Sequence, residues 1–322
     1  MELFYLGPEG THSHDAALRL RDAMLPSATV TACPTIPTVI DRTLDAVAGE
    51  GLACVPIENS IQGAVAQTWD TLMKSAADGV TTQSLSILAA LTLPIHHYAI
   101  YPSGTSFDDV VTVYSHPQAL AQCQHHLTQM FPNALPVATN STAEAVQYVA
   151  KEAGRNGMAQ TSAVAIAGRR AAERYGLIAS DDPIEDQPGN ATRFALVAPV
   201  GRAAEAKGDL LKLSVPGEWA LAPEWTYTEY VVSLCLHGVA HCPGGLVGAL
   251  SPFAQAGLNL GRVESRPVGD QLGNYVFYLD VSFPPQMNVA EITTYLSPVT
   301  RQLADNGVRI VQLGSYPIYQ VQ

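Results

Sequence analysis

The chain has 322 residues, 47% of them hydrophobic and 14% charged, enough for two or three compact domains with sizeable cores. Seventeen Lys and Arg against 29 Asp and Glu give a formal charge of −12 with no basic cluster, which argues against nucleic acid as a partner. No apolar run reaches the roughly eighteen residues of a membrane span, Leu3-Phe4-Tyr5-Leu6 opens the chain without a secretory pattern, and the five cysteines form no CxxC pair; a cytoplasmic protein without a disulfide framework is expected.

Through residue 200, short apolar runs alternate with helical patterns, which predicts an α/β domain. Strands are expected at 2–6, 29–33, 52–56, 111–114, 135–139 and 193–198, and helices at 13–24, 36–49, 63–77, 117–131, 142–153 and 162–175. Residues 84–101 hold two β-rich halves around Pro94 and no helical period, so the chain should cross there to a second sheet and return near 180–192. Two lobes with a cleft between them follow, and open α/β sheets bind ligands in such crevices. Residues 201–228 lose periodicity among Ala, Gly, Pro, Glu and Lys and read as a linker. Beyond it, strand 229–237, helix 244–256, strand 258–265, strand 273–281, helix 288–304 and strand 308–316 make a βαββαβ, ferredoxin-like order.

Several segments carry chemistry. Gly7-Pro8-Glu9-Gly10-Thr11-His12-Ser13-His14 joins the first strand to its helix; Ser13 can cap that helix, and the free N–H groups with the Thr11 and Ser13 hydroxyls can bind a carboxylate. Glu58, Asn59 and Ser60 place an acid, an amide and a hydroxyl at the end of a buried strand, either as capping groups or as a site for a small polar substrate. Ser115 is a candidate N-cap ahead of Pro117, and Gln122, about one turn further in, is not explained by capping. Asn190-Ala191-Thr192-Arg193-Phe194 begins the returning strand, with Arg193 one of few cations there away from helix faces. Cys235-x-His237-x-x-x-His241-Cys242 has the residue types of a zinc site, but it coincides with a strand and its loop, and metal binding is the weaker reading.

The order and wording of GPEGT (7–11), PIENS (56–60), SHPQALAQC (115–123), STAEA (141–145) and NATRF (190–194) resemble the prephenate dehydratase family over residues 1–200. Pro243-Gly244-Gly245-Leu246-Val247, Glu264-Ser265-Arg266-Pro267 and Leu313–Pro317 extend the resemblance into an ACT-type domain. Two departures stand out: Gly245 where Ala is usual, and Gly261 where Thr or Ser commonly precedes the ESRP motif.

The resemblance implies a periplasmic-binding-protein-like, two-lobed catalytic domain at 1–200, a linker at 201–228 and a ferredoxin-like ACT regulatory domain at 229–322. It implies decarboxylating dehydration of prephenate to phenylpyruvate, regulation by L-phenylalanine, a homodimer or homotetramer, and neither metal nor organic cofactor. Thr192 is the implied donor to the leaving hydroxyl, with Glu58 as the alternative. Asn59, Ser115 and Gln122 would surround the departing ring carboxylate, and Arg193 or the amides near Thr11 would anchor the pyruvyl carboxylate. Ser13, Ser60 and Phe194 complete the implied substrate site. Gly244, Gly245, Leu246 and Val247 with Glu264, Ser265, Arg266 and Pro267 would hold the effector. An arogenate or dual-specificity dehydratase is the close alternative, and an amino-acid-sensing protein without turnover is the alternative of a different class.

Overall fold

Thr11 starts the first helix. In the computed structural model, which describes residues 1–46, 50–77, 83–156, 162–201, 224–268 and 274–321, β1 (Glu2–Leu6) leads into α1 (His12–Met24). The Thr11 hydroxyl accepts the His14 N–H at 3.3 Å and donates to Pro8 O. Ser13, expected as the cap, is instead buried in the first turn. β2 (Thr29–Cys33), Thr35-capped α2 (Ile36–Asp45) and β3 (Gly51–Asn59) follow, with β1 parallel to both β2 and β3. β4 (Gly63–Ala64) folds back on the end of β3 before α3 (Ala66–Ala77), so the helix expected from residue 63 begins three residues later.

β5 (Gln83–Pro94) belongs to this first sheet, and after a three-residue crossing β6 (Tyr98–Tyr101) lies in a second one. That sheet continues through β7 (Thr112–Ser115), α4 (Pro117–Gln122), α5 (Gln124–Met130), β8 (Leu135–Ala138) and α6 (Thr142–Asn156). The expected helix 117–131 is thus two helices meeting at Cys123, which has left helical geometry. β9 (Ala163–Ala167), α7 (Arg169–Tyr175) and β10 (Ile178–Ala179) complete the lobe.

A single helix over 162–175 is therefore incorrect. Ala163-Val164-Ala165-Ile166-Ala167 is a fully buried strand between β6 and β7, and a continuous apolar run of that length carries no period to tell strand from helix.

β11 (Ala191–Gly201) returns to the first lobe and pairs antiparallel with both β3 and β5. Residues 202–223 of the expected linker lie outside the described residues, and 225–228 already belong to β12 (Trp225–His237). α8 (Gly245–Gln255), β13 (Asn259–Pro267), β14 (Tyr275–Phe283), α9 (Val289–Asp305) and β15 (Arg309–Val321) follow in βαββαβ order. Their strands run β13-β14-β12-β15, and β15, which ends five residues later than expected, then pairs in parallel with β5. One ten-stranded sheet thus passes from the C-terminal module into the first lobe. The core is shared too: Trp69 and Leu72 of α3 pack in one buried cluster with Tyr278 and Tyr316. Among the described residues no helix is long and apolar enough to cross a membrane.

Candidate active site

Strand register sorts the expected site residues into two groups. Thr192 lies opposite Asn59 and Arg193 opposite Glu58 in the β3–β11 pair. Because successive side chains point to opposite faces of a strand, Asn59, Thr192 and Phe194 share one face and Glu58 and Arg193 the other. The first face closes a cavity of about 680 Å³ between the lobes, within the range for small-molecule sites.

Backbone hydrogen bonds across the two crossings fix the cavity floor. Ile95 N–H donates to Asn190 O, Ile184 N–H to His97 O and Asp186 N–H to Gln122 O. On this frame the Asn59 Oδ1 accepts the N–H groups of Ile61 and Gln62, both at 3.1 Å, so its Nδ2 must face the other way. That Nδ2 donates to Asn190 Oδ1 at 2.8 Å, to Ala191 O and to the Thr192 Oγ1 at 3.0 Å. Asn190 Nδ2 in turn donates to Gln122 Oε1 at 3.2 Å, and His97 Nε2 lies 2.9 Å from the same oxygen. The Thr192 oxygen thus receives a hydrogen bond from Asn59, and its own proton remains available to a group in the cavity.

The lining has a marked charge pattern. Among the described residues it contains no Lys or Arg, and Glu144 is its one acid. Pro8, Thr11, His12 and Ser13 bring the start of α1 to the wall, and Asn140, Ser141 and Thr142 bring the start of α6. Helix N-termini carry positive partial charge and unpaired N–H groups, so both favour an anion. Ser141 Oγ accepts the Glu144 N–H at 3.1 Å while Glu144 Oε2 accepts the Asn140 N–H at 2.8 Å, which turns the acid back onto its own helix start. His97 is buried, and desolvation lowers its pKa against the opposing hydrogen bond to Gln122. Desolvation lowers His12 to about 4, with His97 adding to the effect. Both imidazoles are neutral near pH 7.

Other expected residues sit elsewhere. Arg193 Nη1 pairs with Glu58 Oε2 at 3.0 Å, its Nη2 lies 3.7 Å from Glu229, and neither Arg193 nor Glu58 lines the cavity. Alternation along the strands puts them behind it. Ser115 does not cap α4: it is fully buried in β7 and donates to Ile166 O at 2.6 Å, while His116 takes the cap position. Ser60 accepts the Ala191 N–H at 2.9 Å and braces the start of β11. Thr11, Ser13, Asn59, Gln122, Thr192 and Phe194 do meet at the cavity. His97, Asn190 and the Asn140–Glu144 turn join them without having been singled out as site residues, although Asn190 and Ser141–Glu144 stand inside motifs already noted.

In the C-terminal module the Gly245 N–H, expected to face a ligand, donates to Cys242 O at 2.9 Å. A Cβ added at Gly245 would fall 1.9 Å from Ala240 O, so the carbonyl occupies the place of the missing methyl. Leu246 and Val247 are exposed. Arg266 is engaged with Asp70 of α3 at 2.7 Å, and Glu264 lies 3.4 Å from Arg262. Cys235 Sγ lies 3.5 Å from His237 Nε2, whereas Cys242 is exposed, and no three His, Cys, Asp or Glu gather for a metal among the described residues.

Fold and cavity define a two-lobed α/β protein whose interlobe site suits a small anion and supplies neutral donors. The family model for prephenate dehydratase matches residues 3–201. A prephenate dehydratase of Mycolicibacterium gilvum is 36% identical over 97% of this chain and 90% of its own, and one of Methanocaldococcus jannaschii is 32% identical over 98% of each. A prephenate dehydratase structure from Arthrobacter aurescens, solved in complex with L-Phe, superposes with a TM-score of 0.70 at 26% identity, covering all of this chain and 90% of that one. The chain belongs to the prephenate dehydratase family.

Proposed function

We propose that the chain converts prephenate to phenylpyruvate. The C1–carboxylate bond breaks and releases CO2, its electron pair aromatises the ring, and the C4 hydroxyl leaves as water after taking a proton. The observation that carries this reading is the Thr192 hydroxyl, held as an acceptor by Asn59 so that its proton is free for the leaving group. A threonine hydroxyl is too weak an acid for full transfer, so Thr192 acts through a strong hydrogen bond or as a relay. Glu58 is not the donor in this scheme, since it faces Arg193.

The helix starts at Thr11–Ser13 and Asn140–Thr142 anchor the pyruvyl carboxylate, a role that Arg193, on the far face, does not fill. Neutral Asn59 and Gln122 face the ring carboxylate. A cation there would stabilise the ground state more than the transition state, and the cation-free wall avoids that penalty.

Residues 229–322 are read as an ACT-type regulatory domain, supported by the βαββαβ order and the strand order of its sheet. The domain limits 1–200 and 229–322 form part of the same proposal. L-phenylalanine is its proposed effector, bound by Gly244, Leu246 and Val247 with Glu264–Pro267. With the Gly245 N–H engaged, binding requires the 240–245 turn to change, or the Gly244 N–H to serve in its place. Among the described residues one edge of β13 is unpaired, and it suits pairing with a second copy in a homodimer or homotetramer.

The test is direct: incubation with prephenate, and separately with arogenate, followed by assay for phenylpyruvate and phenylalanine. Formation of phenylpyruvate that slows as L-phenylalanine is added is expected. No turnover of either substrate overturns the enzyme reading and leaves an amino-acid sensor.

A further inference from the structure

His97 sits where the two interlobe crossings meet. Its backbone N–H donates to Glu185 Oε2 at 2.9 Å and its carbonyl accepts the Ile184 N–H at 2.7 Å, so the residue is clamped to the returning segment. Its ring is buried, lines the cavity and packs edge-on against His12 with centroids 6.0 Å apart. A buried imidazole with two ring nitrogens has one donor and one acceptor to satisfy when neutral, and the network decides which is which.

The polarity runs outward from β3. Two backbone N–H groups, which can only donate, occupy Asn59 Oδ1 and turn Asn59 Nδ2 toward Asn190 Oδ1. Asn190 must then offer its Nδ2 to Gln122, whose Oε1 is therefore the acceptor. An oxygen at 2.9 Å from His97 Nε2 requires a proton on that nitrogen. His97 is the Nε2–H tautomer, and among the described residues neither its Nδ1 lone pair nor the buried Nε2H2 group of Gln122 has a partner. Two donors on one oxygen hold the Gln122 amide in a single orientation, with its buried Nε2H2 left over in a side chain that lines the cavity.

We infer that His97 is a positioning residue for the reaction, its Nε2–H fixing Gln122 so that the Gln122 Nε2H2 is presented to an oxygen of the substrate. The inference rests on the function proposed above. Without the His97 donor, Asn190 alone opposes rotation of the amide, and a flipped Gln122 would set its NH2 against the Asn190 NH2 and turn an oxygen toward an anionic substrate.

The test is a double-mutant cycle on kcat and KM with the full-length protein, after thermal melts have shown each variant folded. His97→Leu should lower kcat/KM about tenfold or more, the scale of one hydrogen bond to a charged group. His97→Gln places an amide N–H near the same point and should recover activity to within about threefold, whereas the shorter His97→Asn should not. On a Gln122→Met background His97→Leu should cost less than about twofold, because its effect passes through Gln122. Equal losses on both backgrounds, or no recovery with His97→Gln, overturn the inference. The 15N shifts of His97 in the unsubstituted protein give a readout free of activity: a protonated Nε2 with a bare Nδ1 is expected, and the Nδ1–H tautomer overturns it. Failure of the wild-type protein to turn over either substrate would remove the reaction, while those shifts would still decide the clamp on Gln122.

Discussion

At the interlobe cavity the polar wall consists of amides, hydroxyls and imidazoles with Glu144 as its one acid, whereas the junction between α3 and the C-terminal module is held by paired formal charges. Arg262, with a side chain 10% exposed, makes a bidentate pair with Asp280 at 2.7 and 3.1 Å and stacks 3.6 Å above the Trp69 ring. Ser233 donates to the same Asp280 at 2.5 Å, and Arg266 grips Asp70 beside Trp69. The two regions are linked from α3 to β3 by hydrogen bonds from Trp69 Nε1 to Ile57 O, two residues before Asn59, and from Thr68 Oγ1 to Pro56 O. In the proposed reaction the wall must let a carboxylate go, which dipoles serve better, and a contact that must hold two modules in one orientation is better served by charges with fixed geometry.

The junction offers the largest expected effect. Asp280→Ala removes the bidentate partner of Arg262 beside Trp69 and leaves it only the longer contact to Glu264, which should cost about 3–5 kcal/mol of stability. Thermal and denaturant melts check this, and a loss below about 1 kcal/mol would show that the charges are dispensable. In the cavity, Thr192→Ala should leave the melt almost unchanged and lower kcat by roughly a hundredfold or more, the range for a lost transition-state donor. Thr192→Ser keeps the hydroxyl and should retain most of the rate. If both variants behaved alike, the methyl rather than the proton would be the working part of Thr192.

Neutral histidines make the cavity sensitive to acid. The His12 pKa is depressed to about 4, chiefly by burial and then by His97, against the raising influence of Asp15 and Glu185 and a further lowering by His96. With a folded pKa below the unfolded value, the unfolded state binds the extra proton first. Stability is then complete above about pH 6.5 and is lost as pH falls toward 4, by up to about 3 kcal/mol. His12→Phe should flatten the pH dependence of the melting temperature in that window, and an unchanged slope would place the acid sensitivity elsewhere.

Much of this arrangement was legible in the residues. The crossing around Pro94, the return into β11 and the βαββαβ order all follow from where apolar runs change period. Gln122 stood out because capping did not explain it, Asn59 as one of three polar groups crowded at a strand end, and Thr192 through the resemblance of its NATRF segment to the family. What stayed hidden depends on distance across the fold. Ala163–Ala167 carries no period, so its burial between β6 and β7 could not be read from its own residues. His97 reads as one of a histidine pair until Gln122 and Asn190, from other segments, are placed against it. Arg193 and Glu58 looked like site residues by their charge and their place at strand ends, yet each adjoins a cavity residue in its strand, and in a strand adjacency means opposite faces.

The smallest expected effect tests that last point. Arg193 was the natural anchor for a carboxylate by charge, and the structure pairs it with Glu58 at 3.0 Å, with Glu229 at 3.7 Å and with the Thr92 hydroxyl at 3.4 Å. Both partners in the closer pair are partly open to solvent, with side chains 26% and 37% exposed, so screening holds the pair to about 0–1 kcal/mol. Arg193→Met keeps much of the apolar stem while removing the charge. If the helix starts carry the pyruvyl carboxylate, KM should change by less than about threefold, and kcat should stay near the wild-type value because Thr192, on the opposite face, keeps its bond to Asn59. A tenfold rise in KM at constant kcat would mean that Arg193 reaches the substrate after all, which would require β11 to rotate or the Glu58 pair to open when the lobes close. Measuring Glu58→Gln beside it separates the two possibilities: a freed Arg193 that can swing to the cavity would lower KM, whereas an Arg193 confined to the far face would leave it unchanged.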